Sequence, residues 1–285
     1  MFTCELMGGL GNQIFQIFTT MSCSITNNTA ICFVGSAYSS GFPPGCKPRH
    51  TYWDSFFEKL KPFLVNVIPN MKSLIIIKEK QFSFKEIECY TNKNYLLHGY
   101  FQSYKYFDKN YKIISEVIEL EKMKNNVLKE LNMNADELKT CVSLHFRLGD
   151  YKNLQNHHPL MPKEYYINSL NFIKRKTNEV DNVLYFCENQ DNDEVLQIIK
   201  LLEKKFADLK FVRGNNKLQD WQQMLLMSCC HYNIIANSTF SWWGAYFNSW
   251  SDKVVCYPSV WFGKAIQQND TKDLFPPEWN KINVT

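Results

Sequence analysis

Short apolar runs alternate with polar stretches of helical length along most of this chain. Phe2 to Met7 ("FTCELM") predicts a strand, a glycine turn follows, and a helix starts near Asn12. "AICFV" (Ala30 to Val34), "LIIIKE" and "YLLHGYF" predict further strands, and a polar helical stretch runs from Ser115 to Leu131. "SSGFPPGCKPRH" has turn composition throughout and predicts an exposed loop. The stretch Asn132 to Thr140 is polar and aperiodic. It places a boundary between an N-terminal domain, 1–135, and a C-terminal domain, 136–285.

The second half repeats the alternation more regularly. A strand over 141–146 leads to a helix at about 162–176, strand "NVLYFC", a helix at about 192–206 and strand "LKFV". A helix near 218–230, strand "YNIIAN", a helix at about 239–249 and strand "KVVCYP" complete the series. Strands separated by helices of this length imply a parallel sheet with crossovers. The expectation is an α/β protein of two Rossmann-like domains whose parallel sheets face a cleft. The tail 259–285, rich in Pro, Trp and polar residues, is expected to pack back across the molecule.

Composition narrows the function classes. The chain has 285 residues, 45% hydrophobic and 21% charged, enough apolar material for a core without disulfides or metals. Its formal net charge of +4 suits an anionic ligand and gives no support for a nucleic-acid partner. The ten cysteines show no CxxC spacing and sit mostly in apolar runs, as reduced buried thiols do. No stretch approaches the ~18 apolar residues of a membrane span, and the N-terminus has no basic leader region. The expected location is therefore the cytoplasm.

Ligands of parallel sheets bind outside the carboxyl ends of the strands. That rule gives meaning to "CVSLHFRLGDYKNL", where His145, Arg147 and Asp150 follow an apolar run. Arg147 suits forked hydrogen bonds to phosphate, or an ion pair with Asp150 that closes the turn. His145 could orient a neighbour, and Asp150 could anchor Arg147 or act as a general base. In "MGGLGNQIFQ", Gly8, Gly9 and Gly11 allow close approach of an anion to a helix start, or simply a tight turn. Asn12 and Gln13 lean that case toward binding; neither the dinucleotide fingerprint nor a P-loop lysine is present. In "IIANSTFSWWGAYF", Asn237, Ser238 and Thr239 precede an aromatic helix, where a hydroxyl can cap the helix or cradle an anion. Asp220 is suited to the N–H edge of guanine, or to capping the helix after it. No cluster has metal-ligand spacing.

These stretches together resemble the α-1,2-fucosyltransferases of glycosyltransferase family 11. "GGLGNQIFQ", "HGYFQSYKYF" at 98–107, "HFRLGDY" at 145–151 and "NSTFSWWGAY" at 237–246 carry the resemblance, with Asp220, Met227, Cys230, His231 and Ile234 spaced between the last two. It implies a GT-B-like fold in which the second domain binds GDP-fucose. Inverting transfer to a glycan hydroxyl, the galactose 2-OH, would need no metal and no cofactor. Arg147 would hold the diphosphate, Ser238 or Thr239 with Asn237 the phosphate, and Asp220 the guanine. Gly9, Gly11, Asn12 and Gln13 would line the donor–acceptor cleft, with Gln102 and Tyr151 on the acceptor side and Asp150 as base. The family usually shows two arginines, H-x-R-R-G-D, and Leu148 takes the second place here. A different GDP-deoxyhexose, or a non-catalytic relative that binds nucleotide-sugar or glycan, is the alternative that Leu148 keeps open.

Overall fold

A computed structural model describes residues 1–35, 50–69, 73–90, 92–177 and 179–285. Most of the loop expected over 39–50 lies outside these residues. The chain divides into two compact units: Met1–Glu121 with Asn269–Pro276, and Lys122–Gln268 with Pro277–Thr285.

Unit 1 begins with β1 (Phe2–Cys4) and α1 (Leu10–Thr26), followed by β2 (Phe33–Val34), β3 (Leu64–Val65), β4 (Leu74–Lys78), β5 (Asn94–His98) and α2 (Tyr111–Val117). A three-stranded parallel sheet has the order β1-β5-β4, so β5 is its middle strand, and β2 and β3 form a separate parallel pair. Ile14, Phe15, Ile17 and Phe18 of α1 are fully buried, and Phe18 meets Phe107 edge-on at 5.7 Å. The single helix expected over 115–131 is instead two, α2 and α3 (Leu120–Glu130), parted at Glu119 with φ of +56°. Ile118 and Leu120 are both buried. In one continuous helix they would point about 200° apart, so the break lets both face apolar surroundings.

Unit 2 contains β6 (Cys141–His145), α4 (Lys163–Lys176), β7 (Asn182–Phe186), α5 (Asn192–Lys205), β8 (Lys210–Arg213), α6 (Asp220–Cys229), β9 (Tyr232–Ile234), α7 (Thr239–Tyr246), β10 (Val255–Pro258) and β11 (Asn280–Ile282). Its six-stranded sheet has the order β11-β10-β9-β6-β7-β8, and every pair is parallel. The α/β class with parallel sheets is thus the observed one. The apolar alternation of "CVSLH" buries all five residues of β6, with Val142 and Leu144 at the centre of the core. Trp242 and Trp243 are fully buried, and Trp242 packs on Trp279 at 5.3 Å.

The units part between Glu121 and Lys122 rather than at 135. The physical reason is that α3 finds its partners in unit 2. Buried Lys124 donates to the Phe247 carbonyl at 3.2 Å, and Gln222 donates to Glu130 at 2.7 Å. The polar stretch read as a linker is itself built into unit 2, because Asn134 and Glu137 cap one another's backbone and the His231 N–H donates to the Leu138 carbonyl. The tail divides. Residues 269–276 belong to unit 1, where Asp273 accepts from the Phe84 N–H and pairs with Lys105; residues 277–285 return to unit 2 and add the unforeseen edge strand β11.

The strand order sets the site. The chain runs outward through β6, β7 and β8, then returns to the other flank of β6 with β9. Crossovers leave in opposite directions at the carboxyl ends of β6 and β9, which opens a crevice there. Among the described residues no helix is long and apolar enough to cross a membrane.

Candidate active site

His145 closes β6, and the next residue stays in the ladder, its N–H donating to the Phe186 carbonyl at 2.8 Å. Buried Phe146 anchors the chain so that Arg147 leaves the sheet at the crevice. One arm of the guanidinium is paired with Asp150 and the other with Glu188, while Cζ lies 4.8 Å above the Tyr151 ring. The Arg147–Asp150 ion pair foreseen as the alternative is therefore present. Glu188, just beyond β7, was not foreseen. Its signal was a carboxylate following the strand that neighbours β6.

Gly149 is required where it stands. Its φ is +39°, and a Cβ would meet the Glu188 carboxylate at 3.0 Å. Its N–H donates to Asp191 at 2.7 Å, and fully buried Asp191 is paired with Lys152. Leu148 is buried and belongs to the same core cluster as Phe146, Met161 and Tyr165. Position 148 thus contributes apolar packing, and the cation of the crevice is Arg147.

His145 is buried against Phe240, with ring centroids 5.5 Å apart, and its Nδ1 is a buried atom without a hydrogen-bond partner. Burial first, and then the Arg147 charge, pull the imidazole down to about 3. It is neutral and too weak a base to take a proton at neutral pH. Asp150 is committed to Arg147, which favours a positioning role over that of base.

Across the crevice, Asn237 is buried, with its amide donating to the Pro159 and Trp261 carbonyls and its Oδ1 unpartnered. Ser238 is the N-cap of α7, its Oγ accepting from the Phe240 N–H at 3.3 Å, and Thr239 opens the helix half-buried. The Tyr151 hydroxyl donates to the Asn237 carbonyl at 3.3 Å, which ties the β6 turn to the α7 start. Asp220 does not cap α6. Gln219 does, reciprocally with Gln222, and exposed Asp220 accepts from its neighbour Trp221 N–H at 2.7 Å.

The N-terminal candidates form a separate group in unit 1. Gly8 has φ of +75°, and a Cβ there would lie 2.3 Å from Asn12 Nδ2. Gly9 is the N-cap residue of α1, and Gly11 is buried in its first turn. Buried Gln13 donates to the Gly8 and His50 carbonyls, and Asn12 accepts from Gln102 at 3.0 Å. Asn12 and Gln13 thus knit the glycine turn, and Gln102 is joined to it. The loop after β5 is equally constrained. Phe101 is buried at φ of +51°, a conformation costing about 1–3 kcal/mol, and Glu79 holds it by accepting from the Tyr100 and Phe101 N–H groups. Burial pushes the Glu79 carboxyl up. Beside this loop, Glu5 and His98 form a carboxylate–imidazole pair that sequence reading missed.

Among the described residues no group of three His, Cys, Asp or Glu side chains is arranged to hold a metal ion, and the nine described cysteines are free. His231 is structural. Its nitrogens meet the Lys139 carbonyl and Asp252, and its ring stacks on Tyr232 and Trp250.

Residues 1–283 match the family model of glycosyl transferase family 11. An α-1,2-colitosyltransferase of Escherichia coli is 27% identical over 98% of this chain and 97% of its own length. A galactoside 2-α-L-fucosyltransferase of Caenorhabditis elegans is 22% identical over 100% of this chain and 80% of its own. Among solved structures, the glycosyl transferase family 9 protein of Veillonella parvula is 10% identical with a TM-score of 0.48, covering 99% of this chain and 85% of that one. The chain belongs to glycosyl transferase family 11 and is an α-1,2-fucosyltransferase-like glycosyltransferase.

Proposed function

We propose that this enzyme moves L-fucose from GDP-fucose to a glycan hydroxyl, the galactose 2-OH, with inversion at the sugar carbon and without a metal ion. The observation that carries the reading is Arg147, held by two carboxylates and an aromatic face at the point where the crossovers of unit 2 diverge. A guanidinium has five N–H donors. Asp150 and Glu188 each take one arm, and the donors left over can serve a diphosphate in forked geometry.

Departure of GDP leaves an oxocarbenium-like sugar and builds negative charge on the β-phosphate. Arg147 meets that charge in a fixed orientation, so little reorganisation is needed as it develops. Ser238 accepts a backbone hydrogen bond through Oγ, and its hydroxyl proton is still available to a phosphate oxygen. Thr239 and buried Asn237 complete this wall, and Asp220 offers its carboxylate to the N–H edge of guanine. Gly9, Gly11, Asn12 and Gln13 of the glycine turn are assigned to donor binding, and Gln102 and Tyr151 to the acceptor. The free cysteines suit a reducing compartment such as the cytoplasm.

A second reading keeps the same site and changes the sugar. The relative named for colitosyl transfer supports it, as does buried Leu148 in place of an arginine. Colitose lacks the 3-hydroxyl of fucose, so a direct competition separates the two. Purified protein is incubated with GDP-fucose or GDP-colitose and galactose-terminated glycans in the presence of EDTA, and products are read by mass spectrometry. Fucosylated product supports the first reading and colitosylated product the second. GDP binding with neither transfer nor donor hydrolysis would sink the enzyme reading altogether, and activity lost to EDTA would sink metal independence.

A further inference from the structure

We propose that a groove along α4 of unit 2, on the far side of the sheet from the Arg147 crevice, binds a phosphate-bearing group through Lys174, Arg175, Lys205 and Lys281. This second site goes beyond the transferase reading and does not depend on it. The groove has a volume of about 750 Å³ and is walled by α4, the end of α5 and β11, with Phe172 and Phe206 among its apolar residues. A helix that follows a parallel strand runs back along the sheet, so the last turns of α4 and α5 lie at its amino edge. Arg147 leaves the sheet at the carboxyl edge. The two sites are therefore separate.

The charge in the groove is one-sided. Among the described residues that line it are Lys174 and Arg175 of α4, Lys205 of α5 and Lys281 of β11, against a single carboxylate, Asp208, which is paired with Lys174. Lys174 also sits over the Phe206 ring at 5.9 Å, and Lys176 over the Phe172 ring at 5.6 Å. Basic residues in a last turn complement the helix dipole, which alone would account for a cation at each helix end. It does not account for Lys281, which lies on a strand. Each helix end supplies only about half a negative charge, so the groove keeps an excess of roughly two positive charges. A phosphate monoester carries about −1.5 to −2 at pH 7, which matches that excess.

Arg175 gives the groove its chemistry. Of the three described arginines, Arg147 is held by two acids and Arg213 donates to Asn189 at 2.7 Å. Arg175 is exposed at the groove, with neither a hydrogen bond nor an ion pair to any described residue. A guanidinium with its N–H donors open offers forked geometry to phosphate oxygens. Asn171, exposed on the same helix, adds an uncharged donor. A free phosphorylated molecule and a lipid headgroup present the same group to such a site.

The test is calorimetry with inorganic pyrophosphate on Arg147→Ala protein, in which the crevice no longer competes for the anion. Binding is expected to remain, and adding Arg175→Gln, Lys205→Gln and Lys281→Gln together should weaken it by about ten-fold or more. Asp208→Asn removes the opposing carboxylate and should tighten it by about two- to five-fold. All four substituted side chains are exposed, so thermal melting serves as the control for folding. In an otherwise wild-type chain the triple substitution should leave sugar transfer within about two-fold of wild type, as distant sites act independently. Flotation with phosphatidylglycerol–phosphatidylcholine vesicles, against phosphatidylcholine alone, separates the two sources. Flotation on the anionic vesicles that the triple substitution abolishes assigns the groove to a headgroup. Pyrophosphate binding without flotation assigns it to a free phosphorylated molecule. Absence of both overturns the assignment, as does binding that the triple substitution leaves undiminished or that Asp208→Asn fails to tighten. None of these results bears on the transferase reading, which the GDP-sugar competition decides separately.

Discussion

Two histidines close inner strands of the two parallel sheets, and they have become different chemical groups. His145, ending β6, is buried, unpartnered at Nδ1 and held neutral, drawn down to about 3 by burial and Arg147. His98, ending β5, is half-exposed and hydrogen-bonded to a shielded carboxylate. The strand end brings a residue to where ligands bind, and its neighbours decide what it can do there. In unit 2 they leave Arg147 as the charged group beyond the strand end, a cation between acids. In unit 1 they tie the imidazole to a carboxylate.

The largest expected effect tests the cation. Arg147→Ala should reduce transfer at least ~1,000-fold, about 4 kcal/mol, with a parallel loss of GDP affinity. Asp150 and Glu188 are each more than 40% exposed, so melting should move by no more than about 1 kcal/mol equivalent. Retained GDP binding would refute the phosphate assignment and with it the contrast between the units.

The next effect tests the buried histidine. Its folded value lies below the ordinary 6.5, so as pH falls through 6.5 the unfolded chain takes up a proton that the folded one refuses. Stability contributed by this group is therefore present above 6.5 and is lost progressively down to about 3. By pH 4 the loss is roughly 3 kcal/mol. Urea unfolding at pH 7 and pH 4 should show it, and His145→Gln should flatten the slope. An unchanged slope would mean that the ring is not buried neutral.

Smaller changes sharpen the comparison. Ser238→Ala removes the cap of α7, a cost of about 1 kcal/mol in unfolding free energy. It should also slow transfer by about ten-fold if the hydroxyl meets phosphate, so a stability change without a rate change confines Ser238 to capping. Glu188→Gln frees one arm of Arg147 from an exposed ion pair worth about 0.2–1 kcal/mol. GDP affinity should rise by up to about five-fold in calorimetry, and a fall would make Glu188 a required support of the guanidinium.

Much of unit 2 was legible in advance. Strand–helix alternation is a local signal, and the helices at 163–176 and 192–205 lie within a residue of expectation. Unit 1 was read less well. Its helix over 115–131 breaks at Glu119 because two nearby apolar residues both require burial. The boundary was misplaced because polarity at 132–140 looked like a linker, whereas those polar groups serve as caps. β11 escaped notice because three residues at the end of a polar tail show no periodicity, and only pairing with β10 makes them a strand. The hydrogen bonds by which Asn12 and Gln13 hold the glycine turn were likewise not legible, since they reach His50 and Gln102, far along the chain.

By itself the sequence determined the α/β class, the parallel sheet of unit 2 and the placing of Arg147 and Ser238 at strand ends. Each follows from patterns within a few residues: period-two burial, turn composition and capping preference. Only the tertiary structure decided which acids face which cations and imidazoles. Glu188 reaches Arg147 across 41 positions and Glu5 reaches His98 across 93. Those partnerships depend on which strands lie side by side, and strand order arises from the packing of the whole sheet.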